Sequence, residues 1–264
     1  MTGTRRTLTA LTCGAALVAA TVGGGATAAA DDSGSEGDLA DKTAQQISDD
    51  ALHELLAAKS LRLRSATSTD PTRLDLTLDR DGNCAGHISR GPLGRVDLIK
   101  RGKDVWLKPD AAFWKSQLPG GDGTAAARVY QDRFLHGTTD DAFLRGLTAA
   151  CNLRDFQQEV VATPEPSAPP PSPSSSPSFT LTKGRPTTEE GTPVLPVTET
   201  TRDAAQTVYV AIEGRHYPRK LVTEIDHQTG TIQLSDYGRP VPSHTPGPGA
   251  TADISALEGP LQSV

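Results

Sequence analysis

The strongest constraint on this chain is a period of two. Leu61-Arg62-Leu63-Arg64 alternates apolar with charged residues, and so does Leu74-Asp75-Leu76-Thr77-Leu78-Asp79. Leucines fall on one face and charges on the other, the pattern of an antiparallel sheet that is buried on one side. The links between such segments are short. Asp81-Gly82-Asn83 is a tight-turn sequence leading into Cys84–Arg90. Gly91-Pro92-Leu93-Gly94 turns into Val96-Asp97-Leu98-Ile99, and Arg101-Gly102-Lys103-Asp104 turns into Val105-Trp106-Leu107. Connections this short cannot carry parallel crossovers, so the spacing predicts an antiparallel meander.

Helices flank the meander. Thr43 with Gln46 makes a capping box, and Ala44, Ile47, Ala51, Leu52, Leu55 and Leu56 recur at helical spacing, ending near Lys59. Pro109-Asp110 closes the fifth strand and opens a helix through Phe113 and Trp114. Further helices are predicted over Ala125–Leu135, Asp140–Ala149 and Cys151–Val160. Residues 163–178 are Pro/Ser-rich and almost uncharged, which predicts a disordered, extended insertion. Strand patterns then resume at Phe179–Lys183, Pro193–Thr200, Gln206–Glu213, Lys220–Asp226 and Thr231–Ser235. Neither half holds both a full sheet and its own helical cover. A single domain over residues 41–242 is therefore expected, interrupted by the insertion, with a flexible tether at 31–40 and a flexible tail at 243–264.

The N-terminus predicts export. Arg5 and Arg6 precede an apolar run from Leu8 to Val22, and small residues Ala26-Thr27-Ala28-Ala29-Ala30 follow, the order of a cleaved signal peptide over residues 1–30. The run falls short of the roughly 20 residues of a spanning helix, so no transmembrane span is expected. The paired arginines also loosely fit a twin-arginine signal. Cys13 follows Ala10-Leu11-Thr12 and lies inside the run, so a lipid anchor is not expected. A secreted or extracytoplasmic location in the cell envelope follows.

That location bears on charge and cysteines. Without residues 1–30, which hold two arginines and no acids, the net charge moves from −6 to −8. This balance argues against nucleic acid and against an anionic membrane surface. The two remaining cysteines, Cys84 and Cys151, are most simply a disulfide in an oxidising compartment, with metal or nucleophile chemistry the competing reading.

No catalytic arrangement is legible. His53, His87, His136, His216, His227 and His244 have no carboxylate at a recognisable spacing, and no nucleophile elbow, zinc-protease or phosphate-loop motif occurs. Asp140-Asp141 reads as a helix cap, Glu189-Glu190 as solvated surface, and Trp106 and Trp114 as core or rim packing. The chain is expected not to be an enzyme and to need no cofactor.

DRDGNCAG (79–86), DVWLKPDAAFWK (104–115), TLTKGRPTTEEGTPVLPV (180–197) and LSDYGRPV (234–241) resemble secreted and lipid-anchored proteins of the LppX/LprG group of actinobacteria. That group shares the fold of the lipoprotein carrier LolA. The resemblance covers residues 41–242 apart from the insertion. It implies an α+β fold in which a curved antiparallel sheet, an incomplete β-barrel, wraps around helices and leaves a hydrophobic cavity. It also implies a lipid or acylated ligand and no catalytic residues. The chain departs from the anchored members in lacking a lipobox at Cys13 and in carrying the long insertion.

On this reading the inward residues Leu63, Leu74, Leu76, Val96, Leu98, Val105, Leu107, Val208, Val210 and Ile212 are the candidates to line a cavity. The same alternation would also serve to fill an ordinary packed core. Two functions of different class follow. One is a carrier or binding protein for a lipid or amphiphile in the envelope. The other is a non-catalytic sensor or protein-interaction module without bound lipid, similar to the MucB/RseB type, its protein partner unknown.

Overall fold

The computed structural model describes residues 38–118, 121–161 and 179–257. The expected signal peptide at 1–30, Cys13 and the Pro/Ser insertion at 163–178 lie outside the described residues.

Among the described residues, thirteen strands form one sheet. In chain order they are β1 (Ser60–Thr67), β2 (Arg73–Asp79), β3 (Cys84–Ser89), β4 (Arg95–Arg101), β5 (Asp104–Pro109), β6 (Phe134–Thr138), β7 (Thr180–Lys183), β8 (Thr187–Glu189), β9 (Thr192–Thr200), β10 (Ala204–Ala211), β11 (Pro218–Ile225), β12 (Gln228–Ser235) and β13 (Thr251–Asp253). Six α-helices accompany them: α1 (Asp38–Asp41), α2 (Ala44–Ala57), α3 (Ala111–Gln117), α4 (Asp122–Val129), α5 (Ala142–Leu147) and α6 (Leu153–Val161).

The sheet order is β13-β6-β5-β4-β3-β2-β1-β12-β11-β10-β9-β7, with β8 beside β9. The two strand groups on either side of the insertion meet where β1 pairs antiparallel with β12. The two ends of the strand order do not pair, so the sheet is an incomplete barrel. It curls around helices: α2 packs on β7, β9, β10 and β11, while α6 packs on β2 and α3 on β4.

The period-two reading explains what fills the inside. One row at fixed register, Leu135–Leu107–Leu98–Gly86–Leu76–Leu63–Leu234, crosses seven neighbouring strands. Its leucines are all buried. The opposite face is a charged ladder. Arg62 holds Asp75 at 2.7 Å, Arg95 holds Asp97 at 2.7 Å, and Lys108 lies 3.4 Å from Asp132.

A glycine interrupts the leucine row, and the geometry requires it. At Gly86 the backbone has φ +154°, and an added Cβ would stand 2.0 Å from the carbonyl oxygen of Asp75 and 2.9 Å from Leu76 Cα. Strands β2 and β3 therefore approach more closely here than any side chain allows.

Helix α2 starts at the predicted capping box. The Thr43 hydroxyl accepts from the Gln46 N–H at 3.2 Å, and the Gln46 side chain accepts from the Thr43 N–H at 2.8 Å. Ile47, Ala51 and Leu55 then point into the core, each no more than 1% exposed. Thr43→Ala should lower the unfolding free energy by about 1 kcal/mol, the usual cost of losing such a cap. A denaturant midpoint unchanged at constant slope would contradict it.

The structure corrects three expectations. The helix predicted over Ala125–Leu135 ends at Val129, and Phe134–Thr138 instead forms β6 against β5. Only Leu135 of that strand is buried, so its inward signal is a single residue. The tether expected at 31–40 already contains part of the domain: α1 begins at Asp38, and Leu39 is buried in the core. The tail expected to be flexible from 243 onward forms a 3-10 turn, then β13 parallel to β6, then a second turn whose Ile254 reaches the core. Arg133 holds that tail by donating to the Thr251 carbonyl at 2.8 Å.

Candidate functional site

The inner face does not stay apolar along the strands. Beside the leucine row lies a second row, Leu74–Ser65–Ile232–Leu221–Val208. Beyond it runs a third, Thr67–Gly230–Thr223–Gln206–Glu199. Side chains shrink from leucine to serine to threonine and glycine, so the filling runs out before the strands end. A cleft of about 430 Å³ opens at that place, between these rows and α6. Leu63, Leu74, Leu221 and Ile232 line its sheet side, and Phe156 and Val160 line its helix side. Asp155 and Glu159 of α6 also border it, and so does Asn152.

Helix α6 is held over the cleft by two anchors. Cys84 of β3 and Cys151, in the turn before α6, form a disulfide with Cα atoms 5.3 Å apart. The Gln157 side-chain amide donates to the carbonyls of Leu55 at 2.7 Å and Ala58 at 3.0 Å, at the C-terminal end of α2. Arg80 reaches the same helix end and donates to the Leu56 carbonyl.

The polar row continues past the cleft, whose lining ends at Thr223, to Gln206 and Glu199. The Gln206 side-chain Nε2 is buried without a hydrogen-bond partner among the described residues. Its register partner Glu199 has a carboxyl pushed above the usual range by burial.

Of the ten residues proposed to face a cavity, Leu63 and Leu74 line the cleft. Leu76, Val96, Leu98, Val105, Leu107, Val208 and Val210 are packed in the buried core, and Ile212, just past the end of β10, packs against it from outside. The cleft residues missed include Ser65, Thr67, Leu221, Thr223, Gly230, Ile232, Phe156 and Val160. The available signal was the fading of inward positions from leucine to small residues along Leu61-Arg62-Leu63-Arg64-Ser65-Ala66-Thr67.

Other candidates resolve into packing. Trp114 is 1% exposed and stacks on Tyr130, with ring centroids 5.5 Å apart. Trp106 stacks on His136 on the outer face, and His136 Nε2 lies 3.0 Å from Asp104. Asp141 caps α5, accepting from the N–H groups of Phe143 and Leu144. Glu189 and Glu190 are ion-paired rather than merely solvated: Glu190 holds Arg64 at 2.5 Å and Glu189 holds Lys220 at 3.1 Å. A cleft of about 530 Å³ against the outer ends of β4 and β5 is lined by Arg95, Asp97, Lys108 and Asp132, already engaged in the ion pairs above. Among the described residues, no three of His, Cys, Asp and Glu gather as a metal site, and no helix is long and apolar enough to cross a membrane.

An unclosed, largely antiparallel sheet curled over helices, with a cleft where its filling runs out, defines a LolA-like incomplete barrel. LprF from Mycobacterium bovis aligns with 77% of this chain and 97% of its own length, at 14% identity and a TM-score of 0.51. The Mycobacterium tuberculosis lipoprotein LppX aligns with 75% of this chain and 97% of its own, at 10% identity and a TM-score of 0.45. The fold is thus the LppX/LprG-like one, established by structure alone at these identities. No protein family model matches the chain, and no curated protein does.

Proposed function

We propose that this chain is an extracytoplasmic binding or carrier protein of the cell envelope for a lipid or similar amphiphile. The observation that carries the reading is the cleft between α6 and the inner rows. Its volume of about 430 Å³ lies in the range of roughly 300–1,000 Å³ typical of small-molecule sites. Its walls are leucine, isoleucine, phenylalanine and valine, with hydroxyls and carboxylates at its edges. Each ligand methylene moved from water into such walls contributes about 0.8 kcal/mol. The charged outer ladder keeps the loaded protein wet. The LppX/LprG-like fold supports the reading, and so does the export signal expected at the N-terminus.

Ser65 stands in the middle of the second row, flanked by Leu74 and Ile232, and its small side chain leaves the cleft open. Ser65→Trp should fill the space. The wild-type chain is expected to bind the neutral probe N-phenyl-1-naphthylamine and to carry acyl species in native mass spectrometry. The variant should lose at least about tenfold in probe affinity, a difference of roughly 1.4 kcal/mol. Equal probe binding by both proteins, or a clean unliganded mass with no probe binding, rejects the proposal.

A further inference from the structure

Several cations of the outer face are paired. Arg62, Arg64, Arg95, Lys108 and Lys220 each hold a carboxylate. Four cations without such a pair gather in one place. Arg80, Lys100, Arg145 and Arg154 surround a single cleft of about 420 Å³, and none of them forms an ion pair among the described residues.

Their hydrogen bonds go to neutral backbone carbonyls instead. Lys100 Nζ donates to Gly82 at 2.5 Å, and Arg154 Nε donates to Arg80 at 2.8 Å. Arg145 donates to Thr139 at 3.1 Å and to Asp140 at 2.8 Å. Arg80 donates to Leu56, and its Nε is buried without a partner. These bonds fix the side chains in place without a direct ion pair. Asp81 and Asp155 also line the cleft, so the cations outnumber the acids. The chain as a whole carries a net charge of −6, which makes a cleft with four cations and two acids a local departure.

Lys100 makes the case more specific. Its register neighbours Cys84 and Val105 are wholly buried, so it occupies an inner-face position at the end of the sheet. Burial lowers the affinity of its amine for a proton, while Asp79 opposes this from a distance. A lysine at an inward position needs a partner, and here a carboxylate does not supply one.

The basic cleft also adjoins the apolar one. Ala149, Asn152 and Asp155 border both, at the turn that the Cys84–Cys151 disulfide holds. We propose that Arg80, Lys100, Arg145 and Arg154 form an anion subsite for the phosphate-like head of an amphiphile whose tail lies in the apolar cleft. Arginine and lysine donors around one opening suit a group with several charged oxygens. This inference rests on the amphiphile reading above and narrows it to anionic ligands.

The test compares dioctanoyl phosphatidic acid, dioctanoyl phosphatidylcholine and inorganic phosphate by calorimetric titration of the purified chain at low salt. Phosphatidic acid should bind about tenfold or more tighter than phosphatidylcholine, the scale of one charge-assisted contact. The advantage should shrink in salt. Arg145 and Arg154 are exposed, so the double variant R145Q/R154Q should fold, lose the preference and keep its phosphatidylcholine affinity. Equal affinity of the wild type for the two lipids overturns the subsite while leaving the carrier reading intact. Inorganic phosphate binding as tightly as phosphatidic acid overturns the amphiphile assignment of the subsite. Failure of both lipids and of the naphthylamine probe to bind removes the carrier reading itself.

Discussion

Replacing Gly86 with valine is expected to cost roughly 3 kcal/mol or more, through overpacking and backbone strain together. For a domain of about 200 residues this corresponds to a fall in melting temperature on the order of 10 °C. The magnitude follows from what the new atoms would meet. A Cβ at Gly86 stands 2.0 Å from the Asp75 carbonyl oxygen and 3.0 Å from its carbonyl carbon. These are backbone atoms of β2, not the end of a side chain that could swing away. Relief requires parting β2 from β3 along the register Leu76–Gly86–Leu98, in the middle of the buried row. Gly146→Ala is the control. That glycine lies in α5 with open space where a Cβ would go, so alanine should be neutral or slightly stabilising. A G86V melting temperature within a degree of wild type would mean that the two strands are not held in close approach.

Gly86 also marks how far the sequence could be read. Strands β1 to β5 were legible because leucines alternate with charges and the turns between them are short. Their pairing follows almost of itself. The joining of the two strand groups through β1 and β12 followed from a negative argument, that neither group had enough cover alone. Alternation does not report how tightly two strands approach, since a glycine at an inward position breaks the pattern without saying why. Nor does it separate a hollow interior from a full one. Val96, Leu98, Val105, Leu107, Val208 and Val210 read as cavity candidates and are packed core. The cleft is written instead in what replaces leucine: Ser65, Thr67, Thr223 and Gly230 at inward positions.

Two elements were hidden for a different reason. Phe134–Thr138 and Thr251–Asp253 are short strands, and each takes its conformation from a neighbour across the sheet. Val129, Tyr130 and Phe134 are spaced so that they could share one helical face. In the structure Val129 is 62% exposed, Tyr130 stacks on Trp114, and Phe134 lies under the ammonium of Lys108. Long-range pairing overrode a weak local period. The basic cleft was invisible for the same reason: Arg80, Lys100, Arg145 and Arg154 are spread along the chain, and only the fold brings them together.

The disulfide variant C84S/C151S is expected to show the second large effect, and it separates stability from binding. The bond closes a loop with a sequence separation of 67 residues. Chain entropy then assigns it roughly 4 kcal/mol, a fall on the order of 10 °C in melting temperature at this size. Both cysteines are replaced so that no free thiol is left to pair with another chain. The loss should not be uniform. Cys84 sits within the inner face of β3, where its strand neighbours still hold it, whereas Cys151 is the anchor of the turn leading into α6. Without the bond, α6 is left with the Gln157 contacts to α2, the Arg154 bond to the Arg80 carbonyl and its own packing against the sheet. Hydrogen exchange should therefore rise first in residues 151–161, and the cleft that α6 walls should bind the naphthylamine probe more weakly at temperatures where the sheet is intact. Titration of two free thiols at Cys84 and Cys151 in unreduced protein would refute the bond. Exchange rising equally across β1 to β5 would show that the bond braces the whole barrel and not the helix over its opening.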